Sequence, residues 1–202
     1  MKVGVLGGTF DPVHCGHLIL AEQMIGYLNL SKVLFVPSNA PPHKDAQKIA
    51  PTKHRYKMIA LAIEDNDSFE LSDIELKRKG KNYSYETFEI LSEMYEESTD
   101  FYFIIGSDVL IDLPAFRKFS ELSRRCSFAA AIRPGDDIAG LTDVIEILRS
   151  TFGAKVHIAP FQEIGISSTI IREKVRLGES VRYMIPDKVK RYIEANGLYR
   201  QT

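Results

Sequence analysis

The chain of 202 residues contains no tryptophan and only two cysteines, and these shortages exclude several classes of protein. Cys15 and Cys126 are too few for a disulfide framework, so we expect a reducing compartment. No apolar run reaches the about 20 residues that cross a bilayer, and no secretory signal is visible. We therefore expect a cytoplasmic protein without a membrane partner.

Charge of one sign is also lacking. The 26 lysines and arginines nearly balance the 27 aspartates and glutamates, which leaves a formal net charge of −1. Such a chain has no overall field that draws it to nucleic acid, so we expect no nucleic-acid partner. Hydrophobic content of 45% and charged content of 26% are typical of a globular protein. The length suits a single domain, residues 1–202, because no repeat or linker divides it.

The pattern of apolar runs predicts the fold class. Runs without polar–apolar alternation indicate strands that are buried on both faces, as in a parallel sheet covered by helices. Helical patterns such as "HLILAEQMIGYL" and "YSYETFEILSEMYEE" lie between them. The alternation predicts an α/β fold, a Rossmann-like doubly wound parallel sheet whose ligands bind beyond the carboxyl ends of the strands. The five predicted strands are Val3–Leu6, Val33–Pro37, Phe101–Ile105, Phe128–Ile132 and Val156–Ala159.

The segment after the first strand, "GGTFDPVHCGH", has the features of a phosphate site. Gly8 and Gly16 let a ligand approach the backbone, and a helix that begins near His14 turns unpaired N–H groups towards it. His14 and His17 share one helix face and can converge on one anion, which favours their protonation. Surface histidines and a metal site stay open as alternatives, although the remaining histidines are scattered and show no zinc spacing.

A second anion site is predicted near the C-terminus, in "ISSTIIR". Ser167, Ser168 and Thr169 can cap a helix, and the hydroxyl groups and N–H groups of such a helix start attract anions. Arg172 lies one turn further and can reach back with its planar donors. The alternative is an ordinary cap followed by a surface arginine.

Three other segments contain charged or glycine residues that are candidates for the functional site. The loop "SNAPPHKDAQ" carries Lys44 and is either a cationic lid over phosphates or an ordinary exposed loop. In "GSD", Gly106 permits close approach, and Asp108 can accept hydrogen bonds from adenosine or cap the next helix. The basic run Lys77–Lys81 is interpreted as a solvated turn.

These motifs resemble those of the nucleotidyltransferase superfamily. "GTFDPVHCGH" is similar to its G-x-F-x-P-x-H-x-G-H signature, and "SSTIIR" is similar to its S-x-T-x-x-R motif. The "PPHK" loop, and matches that run to the closing "IPDKVKRYIEANGLY", resemble the nicotinate-nucleotide adenylyltransferases in particular. The resemblance implies a nucleotidyltransferase-type sheet that transfers AMP from ATP to nicotinate mononucleotide, releases pyrophosphate and serves NAD biosynthesis.

The resemblance also implies roles for individual residues. The catalytic residues are His14, His17 and Arg172. The acceptor-binding residues are Lys44, Tyr83, Thr87 and Phe116, where Phe116 takes the place of the family's usual tryptophan. Mg²⁺ is expected to accompany ATP, held mostly by substrate and water. The ATP-binding residues are Gly8, Thr9, Phe10, Gly16, Gly106, Asp108, Ser167, Ser168 and Thr169.

Two alternative functions stay open. The same chemistry can act on another acceptor, such as the amide mononucleotide or pantetheine phosphate, although the "PPHK" loop and the chain length argue against the latter. A nucleotide sensor without catalysis is the second alternative, and the two intact phosphate motifs argue against it. The oligomeric state is not determined by these patterns, and a homodimer is one hypothesis.

Overall fold

A single parallel sheet forms the centre of the computed structural model, which describes residues 1–39, 49–78, 80–132, 136–161 and 165–200. Its six strands lie in the order β3-β2-β1-β4-β5-β6, and every neighbouring pair is parallel. The predicted doubly wound α/β sheet is thereby confirmed, whereas its description as one domain stays a prediction. The strands are β1 Lys2–Gly8, β2 Lys32–Pro37, β3 Phe69–Leu71, β4 Asp100–Gly106, β5 Ser127–Ile132 and β6 Val156–Pro160.

Helices follow the strands and cover both faces of the sheet. Helical patterns in the sequence correspond to five of the helices, Cys15–Leu28, Thr52–Ile63, Ser84–Met94, Ser168–Arg176 and Asp187–Ala195, whereas the helices Phe119–Arg125 and Ile138–Phe152 were not predicted. None of the helices in the described ranges combines the length and the apolar character needed to span a bilayer. The helices are α1 Cys15–Leu28, α2 Thr52–Ile63, α3 Ser84–Met94, α4 Ser107–Asp112, α5 Phe119–Arg125, α6 Ile138–Phe152, α7 Ser168–Arg176 and α8 Asp187–Ala195.

The core consists of two apolar clusters, one on each face of the sheet. Successive strand residues point to opposite faces, so Leu34 and Val36 join one cluster and Val33 and Phe35 join the other. Buried residues of α3, α5 and α6 belong to the first cluster. Those of α1, α2, α7 and α8 belong to the second. Burial on both faces explains why these strands are continuous apolar runs.

The strand order reverses between β1 and β4, and this position determines where a ligand can bind. Chain connections leave β1 for β2 on one side and, later, β4 for β5 on the other, so a crevice opens at the carboxyl ends of β1 and β4. Gly8 ends β1 and Gly106 ends β4. The first predicted phosphate segment therefore begins at this crevice.

Candidate active site

The two histidines of the first motif lie against each other at the start of α1. The backbone N–H of His14 donates to Nδ1 of His17 over 3.2 Å, and the two rings stack with centroids 3.7 Å apart. Because Nδ1 of His17 accepts this bond, Nε2 carries the proton of the neutral ring. One donor of His17 thus has a defined position on the ring.

Burial keeps His14 neutral, which differs from the expected protonation. The side chain is 7% exposed, and desolvation lowers its pKa from 6.5 to about 4. Its Nδ1 is buried and has no hydrogen-bond partner among the described residues. The glycine at position 16 is required by this ring, since a Cβ there would lie 3.0 Å from Nδ1 of His14. Gly16 therefore makes room for His14, and its part in ATP binding stays a prediction.

The turn between β1 and α1 contains a buried aromatic residue, Phe10. Phe10 adopts a positive φ of 49° and is 2% exposed, so the ring is part of the core, and its role in ATP binding stays a prediction. The ring lies edge-on to His17 with centroids 4.9 Å apart. A Cβ on Gly8 would lie 3.1 Å from the Phe10 ring, which explains the glycine there. Phe10 thus packs against the imidazole of His17.

The two predicted phosphate motifs are in direct contact. Ser168 donates from its hydroxyl to the carbonyl oxygen of Pro12 over 2.9 Å. Nη1 of Arg172 donates to the carbonyl oxygen of Asp11 over 2.7 Å, and Nη2 donates to the hydroxyl oxygen of Thr169 over 3.3 Å. Ser167 caps α7, because its hydroxyl oxygen accepts from the N–H of Ile170. Segments more than 150 residues apart thereby form one site.

The side chain of Asp11 contacts three residues that are distant from it in the sequence. Its carboxylate is 3% exposed, and Oδ1 accepts from the backbone N–H of Ala50 at 3.2 Å and from the hydroxyl of Tyr199 at 2.7 Å. Oδ2 lies 3.8 Å from Nη1 of Arg172. Burial and the adjacent carboxylate both raise the pKa of Tyr199, so its hydroxyl stays a donor. Nothing in the sequence analysis singled out Asp11 or Tyr199.

Arg55 is a buried cation that the sequence analysis also missed. It is 1% exposed, and its guanidinium donates to the carbonyl oxygens of Thr9 at 2.7 Å, Ala50 at 3.1 Å and Asn39 at 3.2 Å. Burial lowers the pKa of Arg55, and the nearby carboxylate of Asp11 opposes this effect. A signal existed, because position 55 lies three and four residues before the buried Met58 and Ile59 on one helix face.

A cavity of about 520 Å³ adjoins this site and brings together three predicted acceptor residues, Tyr83, Thr87 and Phe116. Gly8 lines the same cavity, so the cavity reaches the end of β1. The fourth acceptor residue, Lys44, lies outside the described residues. The cavity has the size of a small-molecule site and aromatic walls.

Charged side chains in the cavity were only partly expected. Lys81 lines it, although the basic run was interpreted as a solvated turn. Glu75 also lines it, and Oε1 of Glu75 accepts from the hydroxyl of Thr87 over 2.7 Å. Desolvation raises the pKa of Glu75, opposed by the hydrogen bonds from Thr87 and Asn82. The guanidinium carbon of Arg117 lies 4.8 Å from the ring centre of Tyr83. The cavity is therefore lined by charged groups as well as by aromatic rings.

Asp108 lies at a second cavity, whereas Gly106 ends β4 at the crevice between β1 and β4. Gly106 precedes α4, and Asp108 is the second residue of that helix and exposed to solvent. Asp108 lines a smaller cavity of about 370 Å³ together with Asp136 and Asp137. The two cavities share no described lining residue, and the position before α4 belongs to Gly106, so Asp108 does not cap the helix.

A match to a known family identifies the class of protein to which this site belongs. Residues 5–174 match the Cytidylyltransferase-like family. The chain thus has the sheet and the paired phosphate motifs of a nucleotidyltransferase. Such enzymes use ATP together with a divalent metal ion.

Relatives define the group within this class. A protein of Thermoanaerobacter sp. (strain X514), named "Probable nicotinate-nucleotide adenylyltransferase", is 38% identical over 201 residues, covering 100% of this chain and 95% of the relative. A protein of the same name from Oceanobacillus iheyensis is 39% identical over 198 residues, covering 98% and 96%. The chain belongs to the nicotinate-nucleotide adenylyltransferase family.

Solved structures support the fold. Plasmodium falciparum nicotinic acid mononucleotide adenylyltransferase in complex with APC has a TM-score of 0.78, with 98% of this chain and 96% of that chain covered. The same enzyme in complex with NaAD has a TM-score of 0.80. Sequence identity is 18% in both comparisons, so the likeness concerns the course of the chain.

Proposed function

We propose that this protein transfers AMP from ATP to nicotinate mononucleotide, giving nicotinate adenine dinucleotide and pyrophosphate in NAD biosynthesis. One observation carries the proposal: the turn with His14 and His17 contacts the helix with Arg172 beside an aromatic cavity. The names of the relatives support the same reaction. The structures of the Plasmodium falciparum enzyme with APC and NaAD agree with an ATP site and a dinucleotide product.

The reaction needs alignment more than acid–base chemistry. An oxygen of the acceptor phosphate, already anionic at neutral pH, forms a bond to the α-phosphorus of ATP while the bond to the bridging pyrophosphate oxygen breaks. No covalent enzyme intermediate and no strong general base are required. His17 donates from Nε2 to a phosphate oxygen and stabilises charge that develops in the transition state. Neutral His14 stacks on His17 and keeps its ring in place.

The leaving pyrophosphate is assigned to the start of α7. Arg172 supplies planar N–H donors there, and the helix terminus adds N–H groups and a positive dipole end. The hydroxyls of Ser167, Ser168 and Thr169 line the same terminus. Since Ser168 and Arg172 are tied to the Asp11–Pro12 turn, the donors are positioned before ATP arrives.

The acceptor is assigned to the 520 Å³ cavity. Tyr83 and Phe116 offer ring faces on which a pyridine ring stacks, and Thr87 offers a hydroxyl. Lys44 completes the set as a cation for the acceptor phosphate. Phe116 provides a smaller face than the tryptophan that is usual in the family.

We propose that the divalent ion is Mg²⁺ and that it arrives with ATP. Among the described residues there is no group of three or more His, Cys, Asp or Glu side chains that could hold a metal. Asp11, the carboxylate beside the phosphate site, is already engaged by Tyr199, Ala50 and Arg172. The described residues therefore offer few oxygen ligands for a metal ion. Mg²⁺ suits such a site, because it retains water molecules and binds substrate phosphates readily. The ion would neutralise phosphate charge.

A pyrophosphate-release assay with a panel of acceptors tests the proposal. Nicotinate mononucleotide, its amide and pantetheine phosphate are compared with ATP alone. We expect release with nicotinate mononucleotide, and turnover of His17→Ala lower by about 10²–10³-fold, because one preorganised donor is lost. His157→Ala is the matched control, since this imidazole lies on β6 beside Tyr102 and away from the site. Wild-type turnover in His17→Ala would refute the role of His17.

The same assay separates the alternatives. Faster release with the amide or with pantetheine phosphate would assign another acceptor to the cavity. ATP binding without pyrophosphate release with any acceptor would favour the nucleotide sensor.

We propose a cytoplasmic protein without nucleic-acid or membrane partners, which suits the free thiols of Cys15 and Cys126. A homodimer stays a hypothesis that sedimentation velocity tests.

A further inference from the structure

The closing segment of the chain lies against the phosphate-binding turn. The motif "IPDKVKRYIEANGLY" matched the family, but the reaction described above gives it no role. Its last residue, Tyr199, donates from its hydroxyl to Oδ1 of Asp11 over 2.7 Å, across 188 positions of sequence. Asp11 in turn lies between the glycine turn and the histidines.

Asp11 joins this hydroxyl to the guanidinium that is assigned to ATP. Its carbonyl oxygen accepts from Nη1 of Arg172 at 2.7 Å, and its Oδ2 lies 3.8 Å from the same nitrogen. Oδ1 accepts from Tyr199 and from the N–H of Ala50. Any movement of Asp11 therefore displaces the acceptor groups that orient Arg172.

The local charges favour a neutral donor at this place. Arg55 and Arg172 already supply two cations around the buried carboxylate of Asp11. A phenol adds a hydrogen bond without adding a third positive charge. Because burial and the carboxylate raise the pKa of Tyr199, the phenol remains protonated at any pH at which the enzyme is assayed.

The backbone on both sides of this hydrogen bond adopts the left-handed region. Tyr199 has a φ of 64°, and Phe10, immediately before Asp11, has a φ of 49°. Bulky side chains are rarely found there, so surrounding contacts must hold them. The Tyr199–Asp11 hydrogen bond is one such contact.

We propose that Tyr199 is a positioning residue for ATP, because its hydroxyl holds Asp11 where Asp11 orients the guanidinium of Arg172. The inference rests on the proposed function, since it takes Arg172 as a ligand of the ATP phosphates. Without the hydroxyl, the carboxylate of Asp11 keeps the N–H of Ala50 and the side chain of Arg172 but loses its shortest contact. Arg172 then occupies a wider range of orientations and binds ATP less well.

Tyr199→Phe tests this inference against a matched control, Tyr192→Phe. Tyr192 also belongs to the closing motif, and its hydroxyl lies 3.0 Å from Nδ1 of His54, outside the site. Each variant loses one oxygen atom and one hydrogen bond. We expect the KM for ATP to rise about three- to tenfold in Tyr199→Phe, which corresponds to one hydrogen bond. The KM for nicotinate mononucleotide should stay within about twofold, and Tyr192→Phe should change neither constant.

A double-mutant cycle with Arg172→Ala separates positioning from a general structural effect. If Tyr199 acts through Arg172, then Tyr199→Phe should raise the KM for ATP in the wild-type background and have little further effect in Arg172→Ala. Equal effects in both backgrounds, no effect in either, or an equal rise in Tyr192→Phe would each overturn the inference.

The cycle also distinguishes this inference from the proposed function. If Arg172→Ala leaves the ATP dependence unchanged, then the assignment of Arg172 fails and the inference fails with it. If Arg172→Ala weakens ATP binding while Tyr199→Phe does not, only the role of Tyr199 is refuted. Isothermal titration with a non-hydrolysable ATP analogue gives the same comparison without turnover.

Discussion

His14 shows how tertiary structure changes the chemistry of a single residue. Two histidines beside phosphate are expected to be protonated, yet desolvation lowers the pKa of His14 to about 4. Its ring also stacks on His17 at 3.7 Å, where two cations would repel each other. His14 therefore contributes packing against His17.

The buried imidazole of His14 predicts a pH dependence of stability. Between its unfolded pKa of 6.5 and its folded pKa of about 4, the unfolded chain binds more protons, so stability falls as the pH falls through this window. The loss at pH 4.5 is about 2–3 kcal/mol in this part of the free energy of unfolding. Urea unfolding at pH 7.5 and 4.5 should show a smaller decrease for His14→Asn than for the wild type. An equal decrease in both proteins would contradict the prediction.

Phe116 allows a test of the acceptor cavity at the scale of one ring. We expect Phe116→Ala to raise the KM for nicotinate mononucleotide about three- to tenfold, because an aromatic stacking contact contributes about 0.5–1.5 kcal/mol. Phe116→Trp should lower the same constant, since the larger face restores the usual family residue. The KM for ATP serves as the internal control and should not change. A change confined to ATP would place Phe116 outside the acceptor site.

At the scale of elements, the beginning of α1 is shaped by side chains as much as by its dipole. The N–H of Cys15 donates to the carbonyl oxygen of Met184, and the N–H of His17 donates to that of His14. These donors are therefore already used within the protein. Gly16 then allows His14 to fold back over the first turn.

Two glycines of α1 provide a matched pair of substitutions. In Gly16→Ala the new Cβ meets Nδ1 of His14 at 3.0 Å, so the ring must shift by a few tenths of an ångström. We expect turnover to fall about three- to tenfold, because small displacements of reacting groups are costly. In Gly26→Ala the Cβ meets nothing within 4 Å, so turnover should be unchanged. The free energy of unfolding of Gly26→Ala should rise by about 0.5–1 kcal/mol. Equal turnover in Gly16→Ala and Gly26→Ala would contradict the prediction that a shift of the His14 ring slows the reaction.

Element prediction from sequence succeeded where burial leaves a strong pattern. The five predicted strands lie within observed strands, because a strand covered on both faces needs an apolar residue at nearly every position. Strand β3, Phe69–Leu71, was missed because it is a short edge strand in which the exposed Glu70 interrupts two half-buried residues. Helix α6 carries Leu141, Ile145 and Leu148 at helical spacing, so its signal was present and was overlooked.

At the scale of the whole molecule, Arg55 joins segments that the chain separates. Its guanidinium bonds to carbonyl oxygens of Thr9, after β1, and of Asn39, after β2. It also bonds to Ala50, before α2. One buried side chain therefore holds together the backbone of the proposed phosphate site.

Removal of this cation should affect the stability of the entire protein. Arg55→Met removes the donor of three part-buried carbonyl oxygens and one of the two cations near Asp11, so we expect a loss of about 3–5 kcal/mol in the free energy of unfolding. Urea unfolding at pH 7.5 measures it. Arg124→Met is the control, since Arg124 is exposed on α5 and its replacement should stay within about 0.5 kcal/mol. Similar values for both variants would contradict the prediction.

The candidate site was found in parts by sequence reasoning. Short segments contain His14 with His17, and Ser167 with Arg172, so local spacing and resemblance were enough to identify both. Asp11, Arg55, Glu75 and Tyr199 were missed because their partners lie far away along the chain. Gly16 and Phe10 were singled out for ATP binding, which stays a prediction, and the structure adds that they pack against His14 and His17.

The sequence by itself determined the α/β class, the membership of the family and the two phosphate motifs, because each depends on residues close together in the chain. Tertiary structure alone decided that Arg172 and Ser168 meet the Asp11–Pro12 turn, that His14 is neutral, and that Tyr199 reaches Asp11. The physical reason is that burial, and hence the pKa and the hydrogen-bond partners of a polar group, depends on which distant segments exclude water from it.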